Sequence, residues 1–545
     1  MRTVQGAALR GLKARVRALA ERTGLPVRPA RRRPARPDAH RPGGGAEPDA
    51  PALRRLPGDG TPRTAGGPPP AEPRPGPPGP GTATRVRRTP AAAALRRAPA
   101  GPAVALRPAG TASPSATAPL ATLAALLSRR VRPRPRRRPA GTYASATALR
   151  ALRARRGDAP ALLRLRSGES VLVLLDPQDL RRFYADPAGV LTADPPRSCR
   201  GADPGDPAGT GCSRGEPRAE RREMTADALG ADLPVHPAAG PILAALAEEA
   251  RHLTAAGTLD LARARHAVHR AARRIVLGDA AADDGELAGW LAQLCAGDKG
   301  LRGGRTRAAR SVEDRARARI RQYARLAGGT ALVARAARHA GTTPHGEDGS
   351  GPDPADEARL WLLAMDAVPE TLLRTLLLLG AHPAEQDAAA AEAAAEVAAG
   401  PARGELPRLR ACVRESLRLY PVVPELVRIT RTETEWRGVR HPAGTPVLLP
   451  AAFHQRDPER VPAAHVFVPG RWKNPGADQD IRMAPFGHGG GRCPGAQLGL
   501  MITAALCAEV LRTHRITDTR PSLDPVGPLP PTLDPQAVRL TLGRR

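Results

Sequence analysis

The sequence predicts a mostly helical domain with a small β part, carried behind an N-terminal extension that does not fold. Two observations lead there. Charge and proline are heaped at one end: residues 1–140 hold 29 Arg and Lys against 6 Asp and Glu, so +23 of the chain's +31 lies there, with 26 of its 61 prolines and no Phe, Trp or Tyr. Such a stretch cannot bury enough apolar surface to offset its conformational entropy. Beyond it, apolar residues recur at helical spacing in one segment after another, with few alternating runs and no internal repeat. The expected organisation is a disordered Arg/Pro/Ala-rich extension over 1–140 and one large domain over 141–545.

Several classes fall away. Six cysteines in 545 residues do not make a disulfide framework. Residues 1–26 are basic but lack the compact apolar core and small-residue cleavage site of a secretory signal. No window offers about 18–20 uncharged, strongly apolar residues; the nearest, 360–380, contains Asp366, Pro369, Glu370 and Arg374 and reads as a buried helix. A soluble, cytoplasmic protein with no membrane span is the expectation. The basic extension could be a nucleic-acid arm, but it has no aromatics to stack on bases and no folded motif, which favours a solvated tail.

Along the chain, 7–22 has helical spacing with nothing nearby to pack against. Residues 144–155 suit a short helix; 161–165 and 170–175 flank Ser167-Gly168 as a hairpin, and Pro177 opens another helix. Residues 185–215 are loop-like. Helical periodicity then runs through 258–277, stopped by Gly278, and through 286–296 and 311–338. A Gly/Asp/Pro linker over 341–355 precedes a long apolar helix over 356–381, ended by His382-Pro383. Helices follow over 384–399 and 407–419, a strand over 445–449, and a Gly-rich loop over 484–495 that leads into a helix from Ala496.

That loop is the most specific segment. One cysteine, Cys493, sits among glycines that allow backbone to approach a flat object, directly before an apolar helix. Unpaired N–H groups at a helix N-terminus favour a thiolate, and a lone thiolate on such a platform suits axial ligation of haem iron. A phosphate-gripping loop is the alternative, but G-x-G-x-x-G and G-x-x-x-x-G-K-[ST] are both absent, and no other cysteine stands at zinc spacing from Cys493.

The segment resembles the Cys loop of the cytochrome P-450 family of haem-thiolate monooxygenases, F-x-x-G-x-[RH]-x-C-x-G, with Phe486, Gly489, Cys493 and Gly495 matching. The usual Arg or His is Gly491, with Arg492 beside it. Three further segments fall in the family's order. Glu415 and Arg418 match E-x-x-R, at a spacing that puts both on one helix face. Phe467 to Trp472 matches F-x-P-x-R-[FW], whose Arg471 brings a second guanidinium to Glu415, forming a structural clamp. Arg428, fourteen residues before Pro442, stands where the family places a propionate-binding Arg. Arg221, in the place of the family's W-x-x-x-R, is a weaker counterpart without its Trp.

The resemblance implies the cytochrome P-450 fold of the soluble bacterial type and heme b (iron protoporphyrin IX) with Cys493 as axial ligand. It also implies electrons from a ferredoxin or flavin-type donor, steered by Arg482 and Arg492, and a small-to-medium hydrophobic substrate. The cavity walls are expected to be Leu, Val, Ala and Met, with specificity in 185–215, 279–330 and 422–427. The family's distal A-G-x-[DE]-T corresponds to Leu363-Ala364-Met365-Asp366-Ala367, so Asp366 supplies the acid but Ala367 has no hydroxyl. Glu370-Thr371, one turn later, is a second acid–alcohol pair. Pro369 should kink the helix at 365–369 and free the Met365 carbonyl. His266 and His269 read as surface residues. A peroxide-using, rearranging or dehydrating haem-thiolate enzyme is the runner-up; a degenerate haem protein, or a nucleic-acid-binding protein acting through its arm, is the contrasting class.

Overall fold

The computed structural model describes residues 141–164, 170–186, 190–193, 216–298, 307–342, 352–399 and 404–545. The extension and its 7–22 helix, most of the 185–215 loop with Cys199 and Cys212, and most of the 341–355 linker lie outside the described residues.

The first described segment alternates short helices and strands: α1 (Gly141–Arg156), β1 (Ala161–Arg164), β2 (Ser170–Val173), α2 (Pro177–Ala185) and β3 (Leu191–Ala193). The expected hairpin is present, Ala161 pairing Val173 and Arg164 pairing Ser170. The helical half follows as α3 (Glu216–Leu229), α4 (Ala239–Thr254), the short strand β4 (Thr258–Asp260), α5 (Leu261–Leu277), α6 (Gly285–Asp298), α7 (Arg307–Leu326), α8 (Leu332–Thr342), α9 (Pro354–Ala364), α10 (Ala367–Ala381), α11 (Pro383–Ala398) and α12 (Pro407–Leu419). The expected helix over 258–277 thus splits. Residues 258–260 join a sheet, and Asp260 caps α5 by accepting from the Arg263 N–H at 3.0 Å. The expected helix over 311–338 also divides, at Gly328-Gly329.

The C-terminal part carries β5 (Leu426–Thr430), β6 (Thr434–Trp436), β7 (Val439–His441), β8 (Pro446–Leu449), α13 (Ala451–Gln455), α14 (Ala496–Thr513), β9 (His514–Arg520) and β10 (Arg539–Arg544). One sheet has the order β1-β2-β8-β5-β3, its β2–β8 pair parallel and the rest antiparallel. A second, β4-β10-β9, ties the chain's end to the start of α5.

The main core is the helical layer: Leu372, Leu376 and Leu379 of α10, Cys412 of α12, and Met501, Leu506 and Val510 of α14 are all fully buried. By length and composition α14, rather than 360–380, is the described helix apolar enough to cross a membrane, and 72% of it is buried inside the fold. A long apolar helix packed on all sides is the core element of such a layer.

Candidate haem-thiolate site

Four elements converge around the glycine loop: α2, α3, β5 and the start of α14. In the loop, Gly487 and Gly489 take φ of +74° and +61°, which glycine alone adopts without strain. A Cβ at Gly489 would stand 3.1 Å from the Tyr184 carbonyl oxygen, so the loop lies directly on α2. The Cys493 N–H donates to the Phe486 carbonyl at 2.9 Å, and the Arg492 N–H to that of Gly489 at 3.0 Å. These bonds hold the cysteine at the entrance to α14.

Cys493 is solvent-accessible yet crowded by protein. Burial pushes its thiol up; the Gly495 N–H, Arg222 and Arg492 pull it back without reversing the shift. A cation at the sulfur would favour its ionised form against this burial.

The cations around the loop come from three elements. Arg428, on β5, donates to the Phe183 carbonyl and lies 4.7 Å from the centre of the Phe183 ring. A Cβ at Gly491 would come within 2.9 Å of Arg428 Nη2. The residue standing where the resemblance expects an Arg or His thus leaves room for the Arg428 guanidinium. Arg222 of α3 donates to the Arg492 carbonyl at 2.8 Å. Its neighbour Arg221, expected as a propionate partner, acts by its charge on buried Glu357. Behind the loop, burial and repulsion from Arg414 lower Arg410 to about 10, and burial with repulsion from Arg492 lowers Arg414. Arg482, expected to face a carrier, is neutralised by Asp480 at 2.6 Å.

The clamp is fully built. Glu415 and Arg418 are completely buried. Arg418 donates to both carboxylate oxygens of Glu415, at 2.9 and 2.8 Å, and to the carbonyls of Gln455, Ala464 and Val466. Glu415 also accepts from Arg471 Nε at 3.1 Å, Trp472 Nε1 at 2.9 Å and the Val468 N–H at 3.0 Å. A buried pair is tolerable only when its remaining donors and acceptors are met in this way.

The distal helix breaks where Pro369 predicts. Helix α9 ends at Ala364 and α10 starts at Ala367, joined by tighter bonds from the Asp366 N–H to Leu363 (3.2 Å) and from the Val368 N–H to Met365 (3.0 Å). The Met365 carbonyl is therefore not freed as expected; Val368 takes the place of the proline's missing donor. The Asp366 carboxylate stands 3.5 Å from His269 Nε2 and 3.7 Å from Arg265 Nε. Glu370 faces Arg265 at 3.4 Å and Arg374 at 3.7 Å. The Thr371 hydroxyl donates to the Ala367 carbonyl at 2.8 Å.

Alongside this break runs a cavity of about 1480 Å³, lined among others by Leu363, Ala367, Val422 and Leu533. Residues within 279–330 and 422–427 line it as expected, with Ala288, Leu291 and Pro424 among them. The sequence reading missed two things: the proline-rich strap 528–536 and six arginines in the wall. The strap's Pro spacing between two strand-like segments was the available signal.

Among the described residues, Cys493 is the one exposed cysteine, set in a glycine cradle before an apolar helix with guanidiniums around it. Residues 364–529 match the family model described as cytochrome P450. Cyclooctat-9-en-7-ol 5-monooxygenase of Streptomyces melanosporofaciens is 36% identical over 183 residues, 32% of this chain and 40% of that protein. The human mitochondrial 25-hydroxyvitamin D-1 alpha hydroxylase is 33% identical over 177 residues, 31% of this chain and 35% of its own. The matches therefore span 40% or less of these relatives' lengths. The solved structure of retinoic acid bound cyanobacterial CYP120A1 superposes with a TM-score of 0.58 at 15% identity, covering 73% of this chain and 94% of that one. Over 364–529 the chain is thus similar to the cytochrome P450 family, whose members hold haem through a cysteine thiolate.

Proposed function

We propose that this protein is a haem-thiolate monooxygenase that oxidises a small-to-medium, largely apolar organic molecule, with two electrons from a ferredoxin or flavin-type carrier in a reducing, cytoplasmic setting. The observation that carries this reading is Cys493, held by its N–H at the head of α14 among glycines and guanidiniums. When bound, haem would supply dioxygen activation and oxygen insertion.

The chain's own residues have separable tasks. Cys493 would be the axial ligand, with Phe486, Gly489 and Gly495 shaping its cradle. Arg428, Arg222 and Arg492 would hold the propionates, charge-assisted donors to carboxylates. Glu415, Arg418 and Arg471 fix the backbone on which the loop rests. Asp366, linked to His269 and Arg265, would hold a proton at Oδ1 beside the cavity, with Glu370 behind it. Arg492, Arg414 and Arg410 give the loop's outer side a positive potential that suits an acidic carrier.

A second reading, a peroxide-using or non-oxygenating haem-thiolate enzyme, is favoured by one observation. Ala367 has no hydroxyl, and that of Thr371 is bonded to the helix backbone. Both readings share one test. The reduced, CO-bound protein should show the strongly red-shifted Soret band of thiolate ligation, and Cys493→Ala should lose that band while remaining folded. A wild-type protein without the band would remove both readings.

A further inference from the structure

The large cavity is not the apolar chamber that a purely hydrophobic substrate calls for. Six arginines line it against four carboxylates. The carboxylates are accounted for locally. Asp283 pairs with Arg270 at 2.9 Å, and Asp366 and Glu370 pair with Arg265. Asp534 caps the Gln536 N–H at 3.0 Å. Of the remaining cations, Arg273 donates to the backbone carbonyls of His269, Ala281 and Ala282 at the far end, on α5.

The excess charge of the other end gathers where α1, the residues after α13 and the proline-rich strap meet. Arg456 is buried there, and among the described residues its guanidinium meets neutral partners: the carbonyls of Leu419, Leu529 and Pro530, His465 Nδ1 at 3.4 Å, and the side chain of Tyr420, whose ring centre is 5.5 Å away. It is a desolvated positive charge without a carboxylate partner among the described residues. Arg150, on α1, lines the same wall, and its Nε is buried without a hydrogen-bond partner. The acids close by are engaged elsewhere: Asp457 by Arg153 at 2.5 Å and Asp158 by Arg460 at 2.6 Å.

His465 completes the end. Accepting from Arg456 at Nδ1 places its own proton on Nε2, so the ring offers a neutral donor. Burial and the charges of Arg456 and Arg150 push this ring down to about 4, so it stays neutral and adds no further charge at physiological pH.

An unpaired buried donor costs free energy, and an unneutralised buried guanidinium costs more. A ligand anion would relieve both at once. We infer that the Arg150–Arg456–His465 end of the cavity is an anion subsite that holds the carboxylate of an otherwise apolar substrate. Arg150 supplies the planar fork that a carboxylate matches, His465 adds a single neutral donor, and Arg456 adds long-range potential. One available fork and one neutral donor suit a monoanion better than a phosphate dianion. The same cavity continues past Val422 to Ala367. The subsite would thus fix one end of the molecule while the apolar remainder lies along α10.

This inference rests on the monooxygenase reading for what happens at the other end, but not for its test. Binding of dodecanoic acid and 1-dodecanol to the purified holoprotein, which share a chain and differ in charge, is measured by calorimetry. The wild type should prefer the acid by about tenfold or more. Arg150→Gln should reduce that preference to about twofold or less, whereas Arg150→Lys should keep most of it. Ala146→Glu, a carboxylate one helical turn before Arg150 on the cavity wall, should abolish acid binding by occupying the subsite from within. Equal affinities in the wild type, no binding of the acid, or an undiminished preference in Arg150→Gln would overturn the inference. The CO difference spectrum of the same preparations separates the two readings: a normal red-shifted band with no acid preference removes the subsite alone, and a missing band removes the monooxygenase reading.

Discussion

The clamp around Glu415 and the distal wall around Asp366 both place carboxylates among arginines, but they are built on opposite principles. Glu415 accepts from Arg418, Arg471, Trp472 and a backbone N–H, and neither it nor Arg418 touches solvent. Every polar atom has a partner within 3.2 Å, so the arrangement has one solution. Asp366 sits at a helix break, with His269 Nε2 at 3.5 Å, Arg265 Nε at 3.7 Å and an alanine next in sequence. These two contacts are longer than any in the clamp, and the side chains that make them are partly exposed. The first region fixes a scaffold; the second leaves room for chemistry.

The largest effect should come from breaking the clamp. Glu415→Gln removes the charge that the buried Arg418 and the part-buried Arg471 require, and uncompensated buried charge costs about 3–5 kcal/mol. Chemical denaturation should show a loss of that size together with poor haem retention. By contrast, Asp366→Asn at the half-open distal wall should leave stability within about 1 kcal/mol of the wild type, as for partly exposed pairs. Equal losses at both positions would refute the contrast.

How far each region was legible in the sequence follows from the same difference. Glu415, Arg418 and Arg471 could be read because saturated burial permits few residue types at fixed spacing. Cys493 and its glycines could be read because positive φ and close backbone approach leave no substitute. The helix break could be read from Pro369, since a missing N–H acts locally. The fate of the Met365 carbonyl could not, because Val368 reaches it only once the tighter turn has formed. That Arg222 rather than Arg221 reaches the Arg492 carbonyl could not be read either, because neighbours on a helix differ in facing by about 100° and the motif lacks its Trp. The strands β9 and β10 carry polar outer faces and pair across the intervening residues 521–538, so no local pattern announced them. The cationic end of the cavity draws on α1, the residues after α13 and the strap, which only the fold brings together.

A middling effect should appear with pH, again in the scaffold. His454 is fully enclosed, its Nε2 3.1 Å from the Leu174 carbonyl, and burial lowers its ring from 6.5 to about 4. The unfolded chain takes up a proton near pH 6.5 and the folded chain does so only near 4. The stability that depends on a neutral His454 is therefore complete above pH 6.5 and is lost as pH falls toward 4. At about 1.4 kcal/mol per unit, the window is worth about 3 kcal/mol. Denaturation midpoints measured from pH 7 to 4 should fall less steeply in His454→Gln than in the wild type. Parallel curves would assign the acid sensitivity elsewhere.

The smallest effect belongs to the distal wall, and it is the one that bears on reaction outcome. Restoring a hydroxyl by Ala367→Thr places a donor and acceptor beside Asp366 on the cavity wall, without adding charge or touching the clamp. The Ala367 carbonyl would still accept from Thr371, so α10 should begin where it does now. Stability should change by less than about 1 kcal/mol, because one small side chain is exchanged at a partly buried position. Peroxide released per electron pair should fall by about threefold, a barrier change of about 0.6 kcal/mol. A protein whose coupling is indifferent to this hydroxyl must draw its protons from water or from the substrate itself, and the comparison between a rigid clamp and an adaptable wall would then extend to the ligand as the missing member of the relay.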